Sequence, residues 1–377
     1  MPSTRALGLI AGAATLLLAA ALCALAAWRP GTPYDLIAYL GAMLSAGGDE
    51  PHHAWAMARA QLPPELYQEL ASGDAYRQRQ SSDPAAFASV TPLYAVKLGY
   101  VWLLQAFAAL GDPLRWAQGL APVSAFAIIV TTTRWLARDR ALLFAPVVFA
   151  ATVAMGWFEL ARHATPDAIA IALTMPALYL WHRDRTTSAS LLLGAAFLFR
   201  PDTIICAFAL TLAALAFRRE WRATLAATIA MAIASTVMKD WAGHPGWWVH
   251  VWFSTVTIQP TLEGFAPALS LVAYVKGFAR GVVMSLTEFR WPYVLAVTLM
   301  AAGWVAAQRA LPRPVVALEL AMLLTIGGKF VLFPLPDDRL YLPFVLAMLL
   351  ALAPCWPRPG RYEPSGFGAG AGACGAG

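Results

Sequence analysis

Ten apolar runs, most of them separated by only a few polar residues, leave this chain little choice of solvent. They fall at 6–28, 114–136, 141–161, 166–182, 187–200, 203–217, 223–239, 291–309, 315–334 and 340–356. A bilayer core needs about 20 apolar residues per helical crossing, and backbone polar groups inside it are satisfied by helix formation. The expectation is an all-α, polytopic transmembrane protein of about 10 spans, with 1–356 as a single integral membrane domain. Composition agrees: 59% of the 377 residues are hydrophobic and 13% are charged, where a soluble domain carries about a quarter charged residues.

The connections between runs sort by charge. Arg138-Asp139-Arg140, Arg183-Asp184-Arg185, Arg218-Arg219-Glu220-Trp221-Arg222, Arg309 with Arg313, and Arg358 with Arg361 are the basic ones. All fall on one side with Arg5 if 93–111, which carries Lys97, and 265–288, which carries Lys276 and Arg280, stay at the outer interface. The positive-inside bias then places that side, and the amino terminus, in the cytoplasm of a bacterial inner membrane. The net charge of +6 belongs to these loops and does not point to nucleic acid. The first run is longer than a signal core and reads as an uncleaved span. Two long regions face the periplasm, an acidic first loop 29–113 and a Trp-rich region 240–290. The Gly/Ala-rich segment 357–377 reads as a cytoplasmic low-complexity tail.

Polar chemistry gathers at the outer connections. Asp35 follows the first span and shares a helical face with Tyr39 at i, i+4. A carboxylate there either accepts a proton from an attacking hydroxyl or sits in the first turn of a juxtamembrane helix. Asp167 and Asp202 each follow a Pro at a helix start, where Pro suits the first turn and Asp complements the dipole. Arg162, Arg200 and Arg339 stand beside these acids, either as a cationic mouth for phosphate or as snorkelling side chains paired to their neighbours. Glu319 and Lys329 share one span ten residues apart, too far for an ion pair. Lys329 lies toward the periplasmic end and is a further phosphate ligand, whereas Glu319 is placed near the cytoplasmic interface. Asp49, Glu50, His52 and His53 have the composition of a metal cluster but not its spacing, and no metal or cofactor is expected.

Tyr34-Asp35 with Tyr39, Gly48-Asp49, Thr91-Pro92-Leu93-Tyr94, Thr165-Pro166-Asp167, Phe199-Arg200-Pro201-Asp202 and Asp338-Arg339-Leu340-Tyr341-Leu342-Pro343 occur in that order over about 5–356. In this the chain resembles the GT-C superfamily of membrane glycosyltransferases, close to bacterial relatives of protein O-mannosyltransferases and of lipid A aminoarabinose transferases. The resemblance implies a polyprenyl-phosphate sugar donor, a glycan, lipid or protein acceptor, and juxtamembrane helices in the first loop. It implies that Asp35 matches the family's essential acid and Asp167 a second-loop carboxylate, both catalytic. Arg200 and Arg339 fall at donor-binding positions, with Tyr341 in the same motif. Thr91 stands where a basic residue often precedes Pro92, with Lys97 as the substitute. Two other classes compete: a transporter or lipid flippase, and a non-catalytic envelope assembly protein. A transporter places its polar site near the midplane on broken helices, often within inverted repeats.

Overall fold

The computed structural model describes residues 3–356, so the 357–377 tail with Arg358, Arg361 and Cys374 lies outside the described residues. Among the described residues every regular element is helical, and the single bridge, Gly31 with His163, ties the exit of the first helix to the turn before Pro166. The first helix, α1 (Thr4–Trp28), opens on a Ser3 cap and runs the length of the first apolar stretch. Seven short helices follow in the first loop: α2 (Asp35–Ala46), α3 (Pro51–Ala60), α4 (Pro64–Ala71), α5 (Ala75–Ser82), α6 (Pro84–Val90), α7 (Pro92–Ala95) and α8 (Leu98–Ala109). Proline recurs at their starts because its missing N–H and fixed φ suit the first turn. They enclose their own core around Leu36, Tyr39, Leu40, Phe87, Tyr100 and Leu104.

The bundle proper continues with α9 (Pro113–Arg138), α10 (Ala145–Ala154), α11 (Trp157–Arg162), α12 (Pro166–His182), α13 (Thr186–Phe199), α14 (Thr203–Ala216) and α15 (Arg222–Ala242). After α16 (Trp247–Val251) come α17 (Leu271–Thr287), α18 (Trp291–Gln308), α19 (Arg313–Leu332) and α20 (Asp338–Leu352). Among the described residues five helices are long and apolar enough to cross a membrane by themselves: α1, α9, α18, α19 and α20, the last with its 3₁₀ extension.

Three expected runs differ from single helices. The run 141–161 is broken: a 3₁₀ turn leads into α10, and Gly156 at φ 78° separates it from α11. The run 93–111 folds back sharply, with the α6–α7 segment and α8 set at 110° across Val96 and Lys97. In the third, 265–288, the helix begins only at Leu271. It lays Gly277 and Gly281 against Thr255 and Pro334 while Leu271, Val272, Val275 and Val283 remain exposed. A Cβ at Gly281 would lie 2.4 Å from the Pro334 carbonyl oxygen, so only glycine permits this approach.

The basic turns are one repeated device. Arg140, Asp184 and Arg218 hold φ near 60° just past α9, α12 and α14. The following N–H in each case reaches back to close the helix, from Ala141 to Leu136, from Arg185 to Leu180, and from Arg219 to Ala214. Neighbouring turns are then stitched by ion pairs, Arg183 to Asp139 and Arg219 to Asp184 at 2.6 Å. The ends of α12, α13 and α14 opposite these turns carry Asp167, Arg200 and Asp202. The short helices therefore hold the two polar zones apart.

Candidate functional site

None of the three helix-start aspartates caps its helix. Asp35 follows Tyr34, which makes no capping bond, Thr165 before Asp167 makes none, and Asp202 makes none to its own helix. Their carboxylates turn instead to side chains from distant elements.

Asp167, buried at 4% exposure, anchors two guanidiniums: Arg200 bonds its Oδ1, and Arg339 reaches Oδ2 at 3.0 Å. The Thr165 hydroxyl donates to Oδ2 at 3.3 Å. Arg200 spends its Nε and Nη2 on Asp202 at 3.1 and 3.4 Å. Asp202 also takes Lys329 Nζ at 2.6 Å, and Lys329 donates to the Leu340 carbonyl at 3.1 Å. Arg339 closes the other end on Asp337 at 2.8 Å. The result is one alternating ladder, Asp337–Arg339–Asp167–Arg200–Asp202–Lys329, drawn from four helix ends and the body of α19. Inside a low-dielectric bundle such a chain is stable only because each charge faces its opposite. The expected cationic mouth is therefore largely neutralised: Arg200 and Arg339 are both held by carboxylates. Arg162 is absent from it, since its Nε bonds the Arg29 carbonyl and its Nη1 lies 3.5 Å from Glu159. Glu319 is 8% exposed, and among the described residues neither carboxylate oxygen has a partner, because α19 packs against α14 and α20 and turns this residue inward.

Cavities lie on both sides of the ladder. On the Arg200 side a cavity of about 300 Å³ has Lys97, Arg200, Asp202, Lys329 and Tyr341 in its lining, among apolar residues of α14, α15 and α19. Lys97 sits in the break between α7 and α8, donates to the Tyr39 hydroxyl and stands over the Tyr39 ring at 4.8 Å. It has no carboxylate within 4.0 Å among the described residues. Burial pulls its ammonium down to about 8, against partial support from Asp167. Tyr39 is thus the seat of Lys97, and Tyr341, stacked on Trp291 at 4.2 Å, is a wall. Lys239, His244 and His250 also line this cavity. Charge counting passed over them because their helix end looked like a Trp-rich interface; their only signal was polar residues recurring within that Trp-rich stretch.

On the Arg339 side, a cavity of about 350 Å³ is bordered by Asp35, Arg77, His163, Thr165, Asp337 and Arg339 among others. Asp35 accepts from the Tyr94 hydroxyl at 3.0 Å through Oδ1, leaving Oδ2 without a donor among the described residues. Tyr94 packs edge-on against Tyr39 at 5.1 Å, so the two cavities are joined by a tyrosine contact as well as by the ladder. Asp167 lines neither cavity, and all its bonds are internal. Its geometry suits holding the two arginines apart, not proton transfer. His53 of the acid–histidine group pairs with Asp49 at 2.9 Å, and neither residue lines either cavity.

No family model, curated protein or solved structure matches this chain.

Proposed function

We propose that the protein is a multi-pass membrane glycosyltransferase of the GT-C kind, which moves a sugar from a polyprenyl-phosphate donor to a hydroxyl-bearing acceptor in the periplasm. The observation that carries this reading is the pair of unlike cavities either side of the Arg200–Asp167–Arg339 bridge, one apolar with unpaired cations, the other bearing a carboxylate with a free oxygen. An isoprenoid phosphate combines an anion with an apolar tail, which suits the first. An acceptor hydroxyl needs a base, which suits the second.

Helix length supports a recessed donor site. α13 and α14 have 14 residues each, about 21 Å, against a hydrocarbon core of about 30 Å. With their basic turns at the cytoplasmic headgroups, the Arg200–Asp202 junction stops short of the outer surface, at a depth an embedded lipid phosphate reaches from the side. In this reading about ten segments traverse the bilayer, several of them short, and the ladder keeps the junction polar.

In the reaction, Asp35 Oδ2 takes the acceptor proton as the acceptor oxygen attacks the anomeric carbon. The bond from that carbon to the phosphate oxygen breaks, with inversion, and the departing lipid phosphate keeps the electron pair. Lys97 and the free N–H of Arg200 stabilise the charge that develops. Asp167 fixes both arginines and is a positioning residue, in place of the catalytic role expected for it.

The test is Asp35→Asn. Asn keeps the size of Asp and can still accept from Tyr94, but it cannot take up a proton, and general base catalysis is worth about 10²–10⁴-fold. A deletion strain should lose one envelope glycan modification and accumulate a lipid-linked sugar. Wild type should restore the glycan, and inserted Asp35→Asn should not. Full restoration by Asp35→Asn would remove the base and favour a transporter or an assembly role.

A further inference from the structure

Beyond the first phosphate contact, the donor cavity contains a wired pair of histidines. The Gly246 N–H donates to His244 Nδ1 at 3.1 Å, and His244 Nε2 lies 3.3 Å from His250 Nδ1. A nitrogen that accepts from a backbone amide cannot carry a proton, so His244 holds its proton on Nε2 and donates it onward. His250 Nδ1 is therefore the acceptor, and its own proton sits on Nε2, which has no protein partner among the described residues. Its ring is fixed edge-on against Phe333 at 4.9 Å. Burial and nearby positive charge, from Lys239 on His244 and from His244, Lys97 and Lys239 on His250, keep both rings neutral, down to about 4 and about 3. The relay thus stays wired at neutral pH. Lys239, one helical turn before His244, lines the same cavity and has no carboxylate within 4.0 Å among the described residues.

Two pairs of groups in this cavity therefore offer unused donors to an anion: Lys97 with Arg200 at the ladder, and Lys239 with His250 Nε2 at and beyond the end of α15. Charge counting agrees. The lining carries Lys97, Arg200, Lys239 and Lys329, opposed by Asp202 and by Asp167 behind Arg200, which leaves two positive charges uncompensated. A phosphodiester brings one negative charge, and a diphosphate diester brings two.

We propose that Lys239 and His250 form a second anion subsite in the donor cavity, so that the isoprenoid donor is bound through a diphosphate and not a single phosphate. This rests on reading the cavity as the donor site and replaces the single lipid phosphate of that reading with a lipid diphosphate as the leaving group. The inner phosphate lies against Lys97 and Arg200, the outer against Lys239 and His250, and the isoprenoid leaves along the apolar wall of Leu332 and Phe333.

The experiment uses the purified full chain in nanodiscs and measures binding of the methyl esters of farnesyl diphosphate and farnesyl phosphate, which carry two charges and one, and of farnesol. Wild type should bind the diphosphate at least tenfold tighter than the phosphate, and both tighter than farnesol, as expected for an added charge-assisted contact. Lys239→Gln, at an exposed position, should bring diphosphate affinity down to about that of the phosphate, with phosphate binding changed less than threefold. His250→Gln should do the same in part, with insertion and thermal midpoint checked in parallel. Equal affinity for the two anions in wild type, or equal weakening of both by Lys239→Gln, would overturn the second subsite and leave the donor cavity standing. If neither anion outbinds farnesol, the donor reading itself falls.

Discussion

Removing Asp202 should harm this protein more than removing Asp202 and Lys329 together. In the native ladder Lys329, with a side chain 9% exposed, has one carboxylate partner at 2.6 Å and one backbone carbonyl at 3.1 Å. Asp202→Ala leaves that ammonium buried with only the carbonyl. Breaking a buried pair from one side costs about 3–5 kcal/mol, because the surviving charge stays desolvated. Arg200 also loses Asp202 but keeps Asp167. Lys329→Met behaves differently, since Asp202 retains Arg200 through Nε and Nη2 and no charge is stranded. One charge-assisted bond is lost and an apolar side chain gained, for a net cost of about 1–2 kcal/mol. The double variant strands no charge and should cost about the same as Lys329→Met alone. The coupling between the two sites is then about −3 to −5 kcal/mol, far outside additivity. Equilibrium unfolding in mixed micelles, titrated with a denaturing detergent, measures all four corners of the cycle. Losses that add within about 0.5 kcal/mol would refute the claim that these two residues share one buried charge balance.

Two further outcomes follow from individual groups. Lys97 titrates at about 8 in the fold against 10.5 in the free side chain. Affinity for farnesyl phosphate should fall as pH rises through about 8, a loss that Lys97→Arg abolishes because guanidinium stays charged. Stability runs the other way: the unfolded chain holds more protons between about 8 and 10.5, so Lys97 lets stability rise with pH across that window. A flat binding profile in wild type would detach Lys97 from the anion. Glu319, buried without a partner for either oxygen, should cost the fold about 1–3 kcal/mol. Glu319→Leu is therefore expected to raise the unfolding midpoint, and a loss of stability would mean the carboxyl has a partner in the membrane.

Local patterning was enough to reveal the helices and the separation of charge. An apolar run must become a helix in a bilayer because its backbone has no other partner there, and Arg-Asp-Arg turns mark one end wherever they occur. That the short acidic and basic motifs gather at the helix ends away from those turns was legible for the same reason. What each charged residue does was not. Asp167, Arg200, Asp202, Lys329 and Arg339 are spread over four helix ends and a helix body, and their pairing depends on which faces α12, α13, α14, α19 and α20 present to one another. A Pro-Asp helix start looks like a cap in one dimension. In the bundle, a guanidinium from another helix is a stronger partner than the helix's own amides and captures the carboxylate. The same packing leaves Arg162 on a backbone carbonyl, leaves Lys97 and Lys239 without a carboxylate among the described residues, and leaves His250 Nε2 without a protein partner there. Charge sign follows from residue type alone, whereas charge availability is a property of neighbours, and neighbours 33 or 127 residues away are chosen only by tertiary structure.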